Sequence, residues 1–264
     1  MDFETAIAEG TLDLFSPIVA ELSDADKSSL LALQRIARDQ LSYVYLEIGS
    51  HLGGSLQPHL RDPKCTLMYS IDPRPAVQND SRGVRFGYRD NSTQRMLDGL
   101  RPLVADRLGK IRTFECDASQ VHFGDEPTAD LIFIDGEHTD AAAYSDALSA
   151  LRFAAPNALI VFHDAPIVYE GIARFVEQLK SERTFVGFGL PDNLFVIALD
   201  DAGDRFANSP WLTMSGAAYL QALRVNSGYR RLRTTPVVRI AFRLIYGIGA
   251  ERFVKRFEYG GSRQ

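Results

Sequence analysis

From residue 41 onward, short apolar runs alternate with longer stretches whose apolar positions return every three or four residues. The runs at 43–48, 66–71, 111–116, 131–134 and 159–162 have the length and composition of buried strands. Between them the helical period predicts helices over roughly 91–107, 140–153 and 167–180. The first of these carries Met96, Leu97, Leu100, Leu103 and Val104 on one side. Two final runs, 184–189 and 193–199, are joined by Leu190-Pro191-Asp192 and predict a closing β-hairpin. Residues 1–40 read as helical: Leu30, Leu31, Leu33, Ile36 and Ala37 keep helical spacing, and Ser23 with Asp24 and Asp26 marks a helix start. Strands alternating with helices predict an α/β, Rossmann-like fold. Its seven-stranded, mostly parallel sheet would have helices on both faces and a C-terminal β-hairpin in the sheet. The expected organisation is a helical extension over 1–40, one α/β domain over 41–200, and a basic helical extension over 201–264.

In open sheets of this kind the ligand lies beyond the carboxyl ends of the strands, near the point where strand order reverses. The residues at those ends here are Gly49-Ser50, Asp72, Asp117, Asp135 and His163-Asp164. The first strand runs into Glu47-x-Gly49-Ser50-x-x-Gly53-Gly54-Ser55, a loop that must turn sharply and let the backbone approach a ligand. A dinucleotide loop needs a second glycine where this chain has His51, so that fingerprint fails. A strand ending in an acid and a looser glycine loop suits the amino-acid end of S-adenosylmethionine, which has no phosphate. Asp72 stands where a carboxylate can accept hydrogen bonds from both ribose hydroxyls. Asp117 is placed to take the adenine amino group, and Ala118 to offer its backbone N–H to the ring.

Composition narrows the partners. The chain has 264 residues and a formal net charge of −5, which argues against a general nucleic-acid binder. Cys65 and Cys116 form neither a disulfide framework nor a metal pair and read as reduced, buried thiols. Asp2, Glu4 and Glu9 precede any basic residue, and no apolar run reaches about 18 residues, so neither a secretory signal nor a membrane span is expected. A cytoplasmic location follows as an expectation, with at most a membrane-surface role.

The segments LEIGSHLGGS, SIDPRP, CDAS, LIFIDGEH and IVFHD, spread over residues 40–200, together resemble class I S-adenosylmethionine-dependent methyltransferases. The resemblance is to the subgroup with I-D-G-x-H after the fourth strand, which includes macrocin-type sugar O-methyltransferases. It implies that residues 41–200 bind S-adenosyl-L-methionine through Glu47, Gly49, Ser50, Gly53, Asp72, Asp117, Ala118 and Asp135. It further implies that Asp135 binds a divalent metal such as magnesium, that His138 is the general base, and that His163-Asp164 supplies further ligands. Some relatives have two acids at that last pair, so His163 is a departure; it weakens magnesium in particular, which prefers oxygen ligands. The chemistry is coherent without the family: a sulfonium methyl needs no activation, whereas an alcohol needs a base or a metal to help its proton leave.

The acceptor is expected to be a small molecule or saccharide. Between 221 and 264 stand ten basic and two acidic side chains, leaving −13 for the rest of the chain. Val237, Ile240, Ala241, Leu244 and Ile245 share a helical face, with Arg239 and Arg243 off it. Such a helix can contact an anionic membrane, or dock on the acidic domain or a sister subunit of a homo-oligomer. Two other functions use the same residues. One is an oxygenase of the cephalosporin hydroxylase type, with iron on His138, His163 and either Asp135 or Asp164. The other is a non-catalytic cofactor-binding module in a glycan-assembly complex.

Overall fold

The structure, a computed structural model, describes residues 1–81, 85–88, 91–206 and 214–234. The chain divides into two compact units, Met1–Gln221 and Ala222–Gln264. In the second unit the described part, 222–234, continues a helix; the apolar face proposed for Val237–Ile245 lies outside the described residues.

The strands are β1 (Tyr43–Ile48), β2 (Cys65–Ile71), β3 (Val77–Asn79), β4 (Arg85–Gly87), β5 (Ile111–Phe114), β6 (Ala129–Ile134), β7 (Ala154–Phe162), β8 (Phe185–Gly189), β9 (Phe195–Leu199) and β10 (Met214–Ser215). The helices are α1 (Phe3–Glu9), α2 (Asp24–Ala37), α3 (Gln57–Arg61), α4 (Thr93–Val104), α5 (Asp140–Phe153), α6 (Tyr169–Leu179) and α7 (Gly216–Thr234). The main sheet has the order β10-β8-β9-β7-β6-β1-β2-β5. From β7 through β5 the pairs are parallel, whereas β9 and β8 enter antiparallel as the expected hairpin. The seven strands read from the sequence are present, and two-residue β10 adds an eighth at the β8 edge. Unforeseen were short α3 and the β3–β4 hairpin, which pair with nothing in the main sheet and carry no strong apolar alternation.

Central β1 is buried along its whole length, as a parallel strand covered on both faces must be. Alternate residues serve opposite faces. Tyr43, Tyr45, Leu131, Phe133, Leu159 and Val161 pack with apolar residues of α1 to α4 in one core. The other face is closed by α5 and α6, where Phe162 meets Phe175. Helix α2 begins with a full capping box: Ser23 accepts from the Asp26 N–H, and the Asp26 side chain accepts from the Ser23 N–H. Residues 1–40 therefore belong to the first unit and its core. Among the described residues no helix is long and apolar enough to cross a membrane.

Candidate functional site

Four strands of the parallel half, β1, β2, β6 and β7, extend their ladders by one residue past the last member. Gly49 N–H donates to Ile71 O (2.8 Å), Asp72 N–H to Phe114 O (3.0 Å), Asp135 N–H to Ile48 O (2.9 Å) and His163 N–H to Ile134 O (2.9 Å). The polar residues expected at the strand ends are thereby held in a row along one edge. Gly49, at φ +91°, could not be another residue: a Cβ there would lie 2.1 Å from the Asp135 carbonyl oxygen. Gly54 is equally constrained, since its Cβ would meet Val19 O at 2.4 Å. The glycine loop is thus clamped between the end of β6 and the N-terminal segment around residues 18–22. Gln57 fastens that segment, its amide donating to Phe15 O and Ile18 O (both 2.7 Å) and accepting from Ile18 N–H (3.1 Å).

A cleft opens over this edge. Gly49, Ser50, Asp72, Asp135, His163 and Asp164 line it, joined by His138. Glu47 is fully buried beneath, where Tyr45 Oη (2.8 Å) and Ser55 Oγ donate to its carboxyl group. Burial pushes that group up to about 8 against the pull of both hydroxyls, so Glu47 braces the loop from below. Asp72 accepts from the backbone of His51 (2.8 Å) and Arg74 (2.7 Å) and pairs with the Arg74 guanidinium (3.3 Å). Its lone pairs exceed these contacts, so a ribose can still be held. Gly53, at φ +82°, packs on Met96 and Leu100. Asp117 is exposed and Ala118 buried at the end of β5, and neither lines the cleft with the others. Around Gly136, Asp117 and Glu137 neighbour Asp146, whose carboxyl group is raised to about 7 by burial and by those two charges.

Asp135, His138 and Asp164 each bring a ligand atom within 4.8 Å of the other two. His138 Nε2 is 3.1 Å from Asp164 Oδ2 and 3.8 Å from Asp135 Oδ1. Neither His138 nor Asp164 is spent on a helix cap. Thr139 caps α5, and the helix after Asp164 begins at Val168 with no side-chain cap. Burial lowers His138, but the carboxylates of Asp135, Asp164 and Asp80 outweigh it and raise its affinity for a proton.

His163 stands differently from the expected ligand set of Asp135, His163 and Asp164. Its Nδ1 lies 2.8 Å from Asp135 Oδ1, and its Nε2 faces Asp26 Oδ2 at 3.5 Å. Burial alone would favour the neutral ring; the flanking acids overcome it and hold His163 well above the ordinary imidazole range. Burial likewise pushes Asp135 up, but His163 and His138 hold it far below the usual carboxylate range. His163 Nδ1 is also 3.5 Å from Asp164 Oδ2, so it touches both carboxylates of the expected set, and His138 joins the same two carboxylates from the other strand end.

Several residues at the cleft carried no recognisable motif. Asp80, at the β3–β4 hairpin, sits with a buried carboxylate 3.5 Å from His138 Nδ1, and Ser81 N–H donates to His138 O (2.8 Å). Glu21 lies 3.7 Å from His51 Nδ1, and the Tyr88 ring packs edge-on against His51 at 4.9 Å. Asp26 carried a signal, its place in the capping box, but that signal spoke of a helix start.

Residues 46–165 match the family model of a methyltransferase domain. The matched stretch is 120 of the chain's 264 residues and spans the glycine loop, Asp72, Asp135, His138 and Asp164. No curated protein matches the chain significantly. Among solved structures it is similar to the O-methyltransferase TomG of Streptomyces achromogenes, involved in tomaymycin synthesis and solved with S-adenosylmethionine. The two share 16% identity over 75% of this chain and 89% of that one, with a TM-score of 0.47. It is also similar to an O-methyltransferase of Bacillus cereus solved with S-adenosylhomocysteine, at 15% identity over 75% and 88% with a TM-score of 0.46. Neither likeness assigns an acceptor.

Proposed function

We propose that the methyltransferase domain transfers the methyl group of S-adenosylmethionine to a hydroxyl of a sugar, glycan precursor or natural product. The observation that carries this reading is the meeting of Asp135, His138 and Asp164 in one ligand sphere beside the glycine loop. Two carboxylates and an imidazole fit a divalent cation, manganese, zinc or iron more readily than magnesium. Such a cation, when bound, supplies a positive charge that holds the acceptor oxygen and eases loss of its proton.

The chain's own groups do the rest. The glycine loop and Asp72 hold the cofactor. The acceptor oxygen attacks the methyl carbon opposite sulfur, the carbon–sulfur bond breaks onto sulfur, and S-adenosylhomocysteine leaves. The hydroxyl proton passes to His138 Nε2, while Asp80 near Nδ1 favours the tautomer that keeps Nε2 free to accept. With a cation on that same Nε2 the nitrogen has no lone pair for the proton, so the alternative role for His138 is as a ligand, with the cation alone easing the loss of the proton. Manganese titration of His138→Gln separates the two: unchanged affinity makes it the base, lost affinity a ligand.

Calorimetry with S-adenosylmethionine and S-adenosylhomocysteine, with and without manganese or magnesium, tests the whole reading on wild type and Asp72→Ala. Micromolar binding that the variant loses is the expected result. Absence of binding under every condition overturns it.

A further inference from the structure

Asp26 lies 137 positions before His163 in the chain, on an element outside the matched methyltransferase domain. Its side chain is completely buried, unusual for the third residue of a helix. A capping box needs no such burial, because the carboxylate can cap from the surface. Here the carboxylate joins three elements. Oδ2 accepts from Ser23 Oγ (2.8 Å) and Ser23 N–H (3.3 Å), and Oδ1 accepts from the Asn193 N–H (3.1 Å) in the β8–β9 turn. That turn is tied in its own right to the site, since Asn193 O accepts from the Ala165 N–H (3.0 Å). Oδ2 also faces His163 Nε2 at 3.5 Å, a buried nitrogen that makes no hydrogen bond to any described residue. On its other side the same ring is bonded to Asp135 Oδ1 (2.8 Å).

We infer that Asp26 is a positioning residue of the site: it orients His163, which in turn holds Asp135 so that its carboxylate faces the cation. The inference rests on the cation reading of Asp135, His138 and Asp164. His163 Nδ1 meets Asp135 at Oδ1, the oxygen that also lies 3.8 Å from His138 Nε2, so the ring of His163 fixes the carboxylate edge that faces the site. Groups behind a ligand that fix its orientation commonly change metal affinity by about 10–100-fold when removed. The N-terminal segment would then do more than cover the core: its first long helix sets the geometry of a catalytic acid.

The test is manganese affinity, measured by titration calorimetry or electron paramagnetic resonance on the full chain, beside thermal unfolding without metal. Asp26→Asn keeps the shape and one acceptor oxygen for the Ser23 cap, gives up the bond from the Asn193 N–H and removes the charge facing His163. Its manganese affinity should fall about 10–100-fold. Ser23→Ala removes the cap hydroxyl and leaves the charge; it should lower the melting temperature while keeping manganese affinity near wild type. Should Asp26→Asn fail to fold, His163→Gln takes its place, since it keeps a donor for Asp135 and drops the charge toward Asp26. The same weakening supports the inference there, and wild-type affinity overturns it. A folded Asp26→Asn that binds as wild type overturns the inference alone, as does equal weakening by Ser23→Ala. A wild-type chain that binds no manganese overturns the cation reading and this inference with it.

Discussion

Two buried histidines sit at opposite ends of the same sheet and carry opposite charge states. His59, on α3, is buried near the start of β1; it stacks on Tyr45 at 3.7 Å, and its Nδ1 meets Tyr43 Oη at 2.9 Å. Burial pulls it down to about 3, so it stays neutral. His163, buried to a similar degree at the carboxyl end of β7, faces Asp26 and Asp135 and holds its proton tightly. Around His59 the nearby acid, Asp62, is spent on other partners: Arg38 at 2.7 Å, Gln34 at 3.0 Å and the Tyr43 hydroxyl at 3.0 Å. The lesson is that burial by itself neutralises a histidine, and carboxylates aimed at its nitrogens reverse the outcome. One end of the sheet is a satisfied polar network that stabilises the fold. The other keeps its charges facing a cleft.

The sharpest break of that contrast is His163→Leu. It leaves the buried Asp26 without a counter-charge and takes from Asp135 the nearer of its two histidine partners, and a loss of about 3–5 kcal/mol is expected in urea unfolding. Glu47→Gln is expected to have a smaller and pH-dependent effect. Because the folded carboxyl group titrates near 8 and the unfolded one near 4.5, the unfolded state gives up its proton first. Wild-type stability therefore falls as pH rises from about 4.5 to about 8, and the variant should lack this decline. Melts at pH 5 and pH 8.5 should show the variant gaining about 3–4 kcal/mol on wild type between the two. The mildest change is His59→Phe, which keeps the stack on Tyr45 and loses one hydrogen bond. A cost of about 1 kcal/mol is expected at pH 8. Because the unfolded His59 titrates near 6.5 and the folded one only near 3, wild-type stability falls below pH 6.5, so the variant should gain about 2 kcal/mol on wild type between pH 8 and pH 5. A cost that stayed the same at both pH values would show that the folded His59 takes up a proton after all.

The row of strand ends was legible because two local signals coincide there. Apolar runs of strand length stop at Gly49, Asp72, Asp135 and His163, and the glycine loop follows the first of them. Asp117 was read as part of the same row, yet it stands exposed three residues past the end of β5, beside Asp146 of α5 and not among the residues that line the cleft. His163 was legible as a polar residue at a strand end but not as the partner of Asp26, for nothing local links positions 26 and 163. Asp80 and Tyr88 were silent because they flank a short hairpin with no apolar period to mark it.

By itself, then, the sequence determined the strand and helix order, the glycine loop, the capping box of α2 and the identity of the residues at the carboxyl edge. These follow from short-range rules: the period of apolar positions, the backbone freedom of glycine and the capping preference of serine and aspartate. Only the tertiary structure decided which charges face one another. It set Asp26 against His163, Asp80 against His138, and both histidines beside Asp135 and Asp164. The physical reason is that a side chain's charge state and role depend on neighbours a few ångströms away. Those neighbours come from distant stretches of chain brought together by the burial of the sheet.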